Sequence, residues 1–160
     1  MTELVDTSEE ARRANLRWFA VCYLAISVGL IVLSGLIGMI GIKLPGFAVN
    51  LGGYIGAVLL AARRFQDKVP GGLAGADRHA VSFSYTYIAI AISVALSAAF
   101  AMLAVSVGMM TFAGLADGIR RFGLITLVMI ALFAAVYYGF ARLLIGKIAK
   151  QQSPASAPAN

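Results

Sequence analysis

Charge is missing from most of this chain. Asp, Glu, Lys and Arg make up 12% of its 160 residues, where soluble domains carry about 25%. None of them falls in the runs 18–42, 44–62, 80–116 or 122–141. Cysteine and histidine occur once each, as Cys22 and His79, and there is no Glu after Glu10. Each absence excludes a chemistry. A lone cysteine makes no intrachain disulfide and no metal cluster, and Cys22, inside the first run, reads as a small buried apolar side chain. A metalloprotease of the membrane interior needs His and carboxylate ligands at helical spacing. Proton-coupled transport needs an ionisable group deep in an apolar run. His79 stands near Asp77, Ser82 and Ser84, but Ser82 is too close along the chain to serve it as nucleophile, and the residue reads as a loop or interfacial histidine. No phosphate-loop, dinucleotide or paired-cysteine motif is present. The expectation is of a non-enzyme without catalytic residues, cofactor or metal.

What the chain does have is length of apolar sequence. Hydrophobic residues are 61% of the total. A helix of roughly 20 apolar residues crosses a hydrocarbon core of about 30 Å, and only helices or closed barrels satisfy their backbone in lipid. None of the four runs alternates with period two, which excludes the barrel. The first run is too long for the apolar region of a signal peptide and reads as a retained helix. The third is too long for one crossing, since at 1.5 Å per residue it would reach about 55 Å. The fold expected is therefore an all-α integral membrane four-helix bundle with spans roughly at 18–42, 47–65, 82–106 and 122–145. "VGMMTFAGLADGIRR" then becomes a connection in which Met109, Met110 and Phe112 dip into the interface, as a re-entrant or interfacial element.

The cations orient the bundle. With both termini inside, the inner side carries Arg12, Arg13, Arg17, Arg63, Arg64, Lys68, Arg78, Arg142, Lys147 and Lys150, and the outer side Lys43, Arg120 and Arg121. That bias follows the positive-inside rule and predicts a multi-pass protein of a bacterial cytoplasmic (inner) membrane. The net charge of +6 is then a topology signal, with the lipid bilayer as partner and no nucleic acid. Arg63, Arg64, Lys68 and Arg78 are candidate contacts to anionic lipid head groups. Trp18, Phe19, Tyr23, Phe65, Tyr85, Tyr87, Tyr137 and Tyr138 fall near the inner ends of the spans, as half of an aromatic belt. Residues 1–15 read as a cytoplasmic segment, with a short amphipathic helix beginning near Thr7 or Ser8; residues 16–148 as the transmembrane domain; and 149–160 as a disordered tail rich in Pro, Ala and Ser.

Small residues recur at helix-packing spacing: Gly52 and Gly56, with Gly53, Ala57 and Ala61, on the second span; Ala89, Ser93, Ser97 and Ala101 on the third; Ala131, Ala135 and Gly139 on the fourth. Residues four apart share a helix face, and small ones let backbones approach in lipid. The stripes fit packing within one chain or a contact in a homodimer or with another membrane protein.

"LPGFAVNLGGYIGAVLLAARRF" opens the second span. Pro45 suits a helix start, and Asn50 either lies one turn inside or caps a shorter helix beginning at Leu51. A short or interrupted span marks binding sites in transporters, so Asn50, Gly52 and Gly53 are candidates for the wall of an outer vestibule. A pore would need a continuous polar file, for which Asn50, Ser93, Ser97, Thr111 and Thr126 are the available groups. A protein that acts only by packing uses those hydroxyls on its own helix carbonyls.

Two resemblances attach to these residues. Over 45–59 the pattern Gly46, Asn50, Gly53 resembles the Asn-bearing helix of small four-span fluoride channels, which implies that Asn50 would line an anion route. The arginine-bearing first helix of that family has no counterpart. Over most of the chain, "N-x-GG-x-IGA…AARRF" (Gly52, Gly53, Ala61, Arg64, Phe65), the basic loop and "YYGFARLLIGKIAK" are similar to a family of small bacterial four-helix inner-membrane proteins. That resemblance implies fold and location and carries no activity. The function expected is non-catalytic, through helix packing with itself or a membrane partner. The alternative is a passive channel or small-solute pore near Asn50.

Overall fold

The computed structural model describes residues 2–42, 45–69 and 76–151, with side chains within 9–42, 45–69 and 77–150. Among these residues there are four helices and no strand: α1 (Thr2–Met39), α2 (Gly46–Lys68), α3 (Ala76–Ser106) and α4 (Phe112–Gln151). All four are long and apolar enough to cross a membrane, so the chain reads as a multi-pass membrane protein. Lys43 and Leu44, the stretch 70–75 and most of the expected tail lie outside the described residues.

The helices stand in a ring in the order α1, α2, α4, α3. Arg64 lies on Trp18 and Gly53 against Ile26, so α1 and α2 run antiparallel. Asn15 meets Tyr85 and Tyr23 meets Ser93, so α1 and α3 run parallel. Phe47 meets Phe133 and Tyr54 meets Tyr137, so α2 and α4 do too. Two helical hairpins thus lie side by side. The described starts of α1 and α3 and the ends of α2 and α4 gather at one end, here called the base.

The helices run longer than the spans expected, and the ends explain why. No separate N-terminal helix precedes the first span: α1 is continuous from Thr2, and Glu9 pairs with Arg13 one turn on at 3.4 Å. Likewise α3 begins at Ala76 rather than 82, and α4 begins at Phe112 and carries through 149–151, where the tail was expected to start. The long connection shrinks to residues 107–111. Gly108, at φ +74°, closes α3: its own N–H reaches Val105 O at 3.1 Å and that of Met109 reaches Ala104 O at 2.9 Å. This is the paired-bond ending that needs a residue in the left-handed region, where glycine carries no side-chain penalty. Gly41, at φ +87°, ends α1 with the same pair of bonds. Thr111 Oγ1 then accepts the Gly114 N–H at 3.1 Å and caps α4. Residues 112–121 are helix, with Asp117 and Arg121 paired at 2.9 Å; a re-entrant element is not formed there. α2 starts at Gly46 after Pro45, so Asn50 is inside the helix and does not cap it. With 38 and 40 residues, α1 and α4 are about 57 and 60 Å long and must project beyond the hydrocarbon.

The core lies in the base half. Asn15, Phe19, Tyr23 and Ser27 are buried at intervals of four on α1; Tyr54, Ala57, Val58, Ala61, Ala62 and Phe65 on α2; Val81, Tyr85 and Ala89 on α3; Tyr137, Ala141, Ile145 and Ile148 on α4. Farther from the base, only Ser27 and Gly53 are buried among the described residues. Phe19, Tyr23, Phe65, Tyr85 and Tyr137 therefore do not form the interfacial belt expected of them. They turn inward along the buried stripes, and Trp18 and Tyr87 are the exposed members.

Candidate functional site

The buried aromatics build a floor across the bundle. Phe19 stacks on Tyr85 at 4.2 Å and Tyr54 on Tyr137 at 4.3 Å, while Phe19 and Tyr23 meet Tyr54 edge-on at 6.1 and 6.2 Å. Offset stacks and edge contacts are the favourable ring geometries. The phenol oxygens are spoken for. Asn15 Nδ2 donates to Tyr85 at 2.5 Å, Tyr23 pairs with Ser93 Oγ at 2.8 Å, and Tyr54 pairs with Thr86 Oγ1 at 3.2 Å. Thr86 spends its own hydrogen on Ser82 O at 2.9 Å, which makes Tyr54 the donor in their bond.

Above the floor the helices part and leave two chambers. The smaller, about 370 Å³, lies between α1, α2 and α3 and is lined by Ser27, Ile31, Ser34, Gly46, Val49, Asn50, Ser93, Leu96, Ser97 and Phe100. The larger, about 510 Å³, lies between α2, α3 and α4, with Phe47, Ile90, Val94, Ile119, Thr126, Ile130, Phe133 and Tyr137 in its wall. Asn50, Ser93 and Ser97 line both. They are the junction of the two spaces, and the structure brings these three candidates from the sequence together. Ser97 donates to Ser93 O at 2.8 Å and Thr126 to Phe122 O at 2.9 Å, each on its own helix. Thr111 is at the α4 cap and joins neither chamber. Ser27 is 5% exposed, its hydroxyl has no partner, and it forms part of the wall of the smaller chamber.

The other candidates scatter. A side chain at Gly52 or Gly139 would meet nothing within 4 Å, so neither is a close-packing glycine. Gly53 is: a Cβ there would sit 3.3 Å from Leu30 and 3.5 Å from Ile26. Gly56 faces Ile26 at 3.6 Å. Ala89 is buried, Ala101 is half-buried, and Ala131 and Ala135 are exposed. Of the lipid-contact cations, Arg63 and Lys68 are exposed, and Arg64 stacks over Trp18 at 4.0 Å. Arg78 is half-buried and has a partner within the bundle. It crosses from α3 to α4, donates to Arg142 O through Nε at 3.0 Å and Nη2 at 2.6 Å, and lies directly over Gly146. Only a residue without a side chain leaves that carbonyl open to a guanidinium. Neither Asn15, Ser27 nor Gly146 was singled out from the sequence. The signal available was the four-residue spacing of Asn15, Phe19, Tyr23 and Ser27 on α1 and of Arg142 and Gly146 on α4.

His79 Nδ1 is 2.8 Å from the Tyr138 hydroxyl, while Ser82 and Ser84 bond the carbonyls of Arg78 and Ala80 on their own helix. His79 thus faces neither serine. Among the described residues no three His, Cys, Asp or Glu side chains gather as a metal would need. No family model matches this chain, and no curated protein and no solved structure matches it.

Proposed function

We propose that this is a non-catalytic component of a bacterial cytoplasmic membrane, with both termini inside, that works by receiving a membrane-embedded partner in the open half of its bundle. One observation supports this reading above the rest. The helices close tightly over an aromatic floor, and beyond it they stand apart around two joined chambers. A bundle that only filled space in the bilayer would gain by closing there, because close contact and interhelical hydrogen bonds are what hold helices together in lipid. The exposed basic residues of the base sit where anionic head groups would hold them.

A second reading, a passive pore for a small solute, draws on Asn50, Ser93 and Ser97 sharing one junction. Against it stands the floor: neither chamber lined by Asn50, Ser93 and Ser97 reaches the buried polar groups of the base, Asn15, Gln66, Ser82 and Thr86. One experiment separates the two. Ser97→Cys in a Cys22→Ala background is treated, in vesicles of known orientation, with a membrane-impermeant maleimide from each side. Labelling from the outer face alone supports an open chamber over a sealed floor. Labelling from both faces would favour the pore, and from neither would sink the open-half reading.

A further inference from the structure

Resting on the reading of the open half as a receiving site, we propose that its two chambers bind an uncharged amphiphile, with an oxygen-bearing head in the smaller chamber and an apolar body in the larger. The head is argued from what the smaller chamber leaves unpaired. Ser27 is buried and its hydroxyl has no partner, a state native structures rarely leave unexplained. The side chains of Ser34 and Asn50 border the same space and also have no hydrogen bond among the described residues. Ser97 has committed its hydrogen to Ser93 O and can only accept. The free donors are two hydroxyls and an amide, which match a carbonyl, ester or hydroxyl oxygen.

The absence of charge is argued from the same walls. No Asp, Glu, Lys, Arg or His lines either chamber. A charged head or a free anion would shed its hydration there with no opposite charge to meet it. The body is argued from the larger chamber, where Phe47, Phe133, Ile90 and Ile130 supply an apolar wall. Phe47 and Phe133 stack at 5.5 Å to close its side between α2 and α4. Both volumes fall within the range of about 300–1,000 Å³ usual for small-molecule sites, and Asn50 and Ser93 bridge the head space to the body space.

The test uses the full chain in phosphatidylcholine nanodiscs and three photoreactive probes with the same diazirine-bearing tail. One is a monoacylglycerol, one a lysophosphatidylglycerol, and one a headless alkane. Adducts are mapped by peptide mass spectrometry. The monoacylglycerol should label Phe47, Ile130 or Phe133 above lipid-facing Leu127, and unlabelled monoacylglycerol should displace it. Ser27→Ala, which removes the hydroxyl and adds no bulk, should lower chamber labelling about fivefold, the worth of one hydrogen bond, while labelling at Leu127 stays the same and so reports an intact fold. Equal chamber labelling by the anionic probe would overturn the uncharged head, and equal labelling by the alkane would overturn any head at all. In either case the receiving role would survive. Chamber labelling no higher than at Leu127 for all three probes would overturn both.

Discussion

The base holds most of the charged side chains among the described residues and is packed tight; the open half is the more apolar of the two, yet its helices stand apart. In the base, four helices meet through rings, small side chains and hydrogen bonds that cross between helices. In the open half, α1 and α4 present Val32, Leu33, Leu124, Leu127 and Val128 outward. The contrast shows what associates helices in lipid. Aliphatic side chains match acyl chains as well as they match each other, so they pull nothing together; close approach and shared polar contacts do. The base collects Ala57, Ala61, Ala62, Ala89 and Ala141 on buried faces and adds the tyrosine hydroxyls. The open half places Asn50, Ser34 and Ser97 at a chamber wall.

The largest break in that comparison should come from Tyr54→Ala. It removes one partner of the stack on Tyr137, two edge contacts and the bond to Thr86, and truncating a buried ring costs about 3–5 kcal/mol. Leu127→Ala, on the outward face of α4, should cost less than about 0.5 kcal/mol. Thermal unfolding in detergent, followed by Trp18 fluorescence, reads both. Equal losses would mean that the two halves are held alike.

Gly146→Val should come next. The new side chain would occupy the place of the Arg78 guanidinium and break its two bonds to Arg142 O. Bonds from charged donors are worth about 1.5–3 kcal/mol, but the arginine is long enough to swing away, so a loss of about 2 kcal/mol is expected. Arg78→Ala alone should cost about as much, and Gly146→Val should add little to it, since both remove the same two bonds. A third pair is smaller. Ala61→Leu overpacks a buried face of α2 and should cost about 1–3 kcal/mol, whereas Ala131→Leu, exposed on α4, should change stability by less than about 0.5 kcal/mol. A reversal of that order would put the packing surface on the side of α4 where its stripe of small residues lies.

The two halves were not equally legible. The four apolar runs announce four helices because a lipid environment leaves uncharged sequence no other stable form. Their ends were harder, because charged segments such as Glu9 to Arg13 and Asp117 to Arg121 resemble loops by composition, yet each holds an ion pair at helical spacing. Thr111 is the cue for α4, a capping residue just before a helical stretch, but a hydroxyl in an apolar run reads equally well as a pore group. The tyrosines were misplaced for a related reason. Their position near span ends fits a belt at the membrane surface, and only the register of Asn15, Phe19, Tyr23 and Ser27 points them inward. Arg78 illustrates the limit of counting cations, since a residue that serves the charge bias can still be spent on a neighbouring helix. Asn50, Ser93 and Ser97 are visible as polar groups in apolar helices, but that they border one junction depends on α2 and α3 facing each other across the bundle.

The smallest effect expected is no effect, and it tests the floor. Reconstituted in liposomes, the protein should release fluoride and chloride no faster than empty vesicles, and Asn50→Ala should change neither rate. The larger chamber ends on Tyr137, which stacks on Tyr54 at 4.3 Å, and an anion passing that stack would have to leave water with no cation to meet it. The Tyr54 hydroxyl, which could replace its hydration, already donates to Thr86, and that of Tyr23 is paired with Ser93. Fast fluoride release abolished by Asn50→Ala would mean that the floor opens and that Asn50 guards a path through it. The base would then be the gate of a pore, and the difference between the two halves a closed state rather than a division of labour.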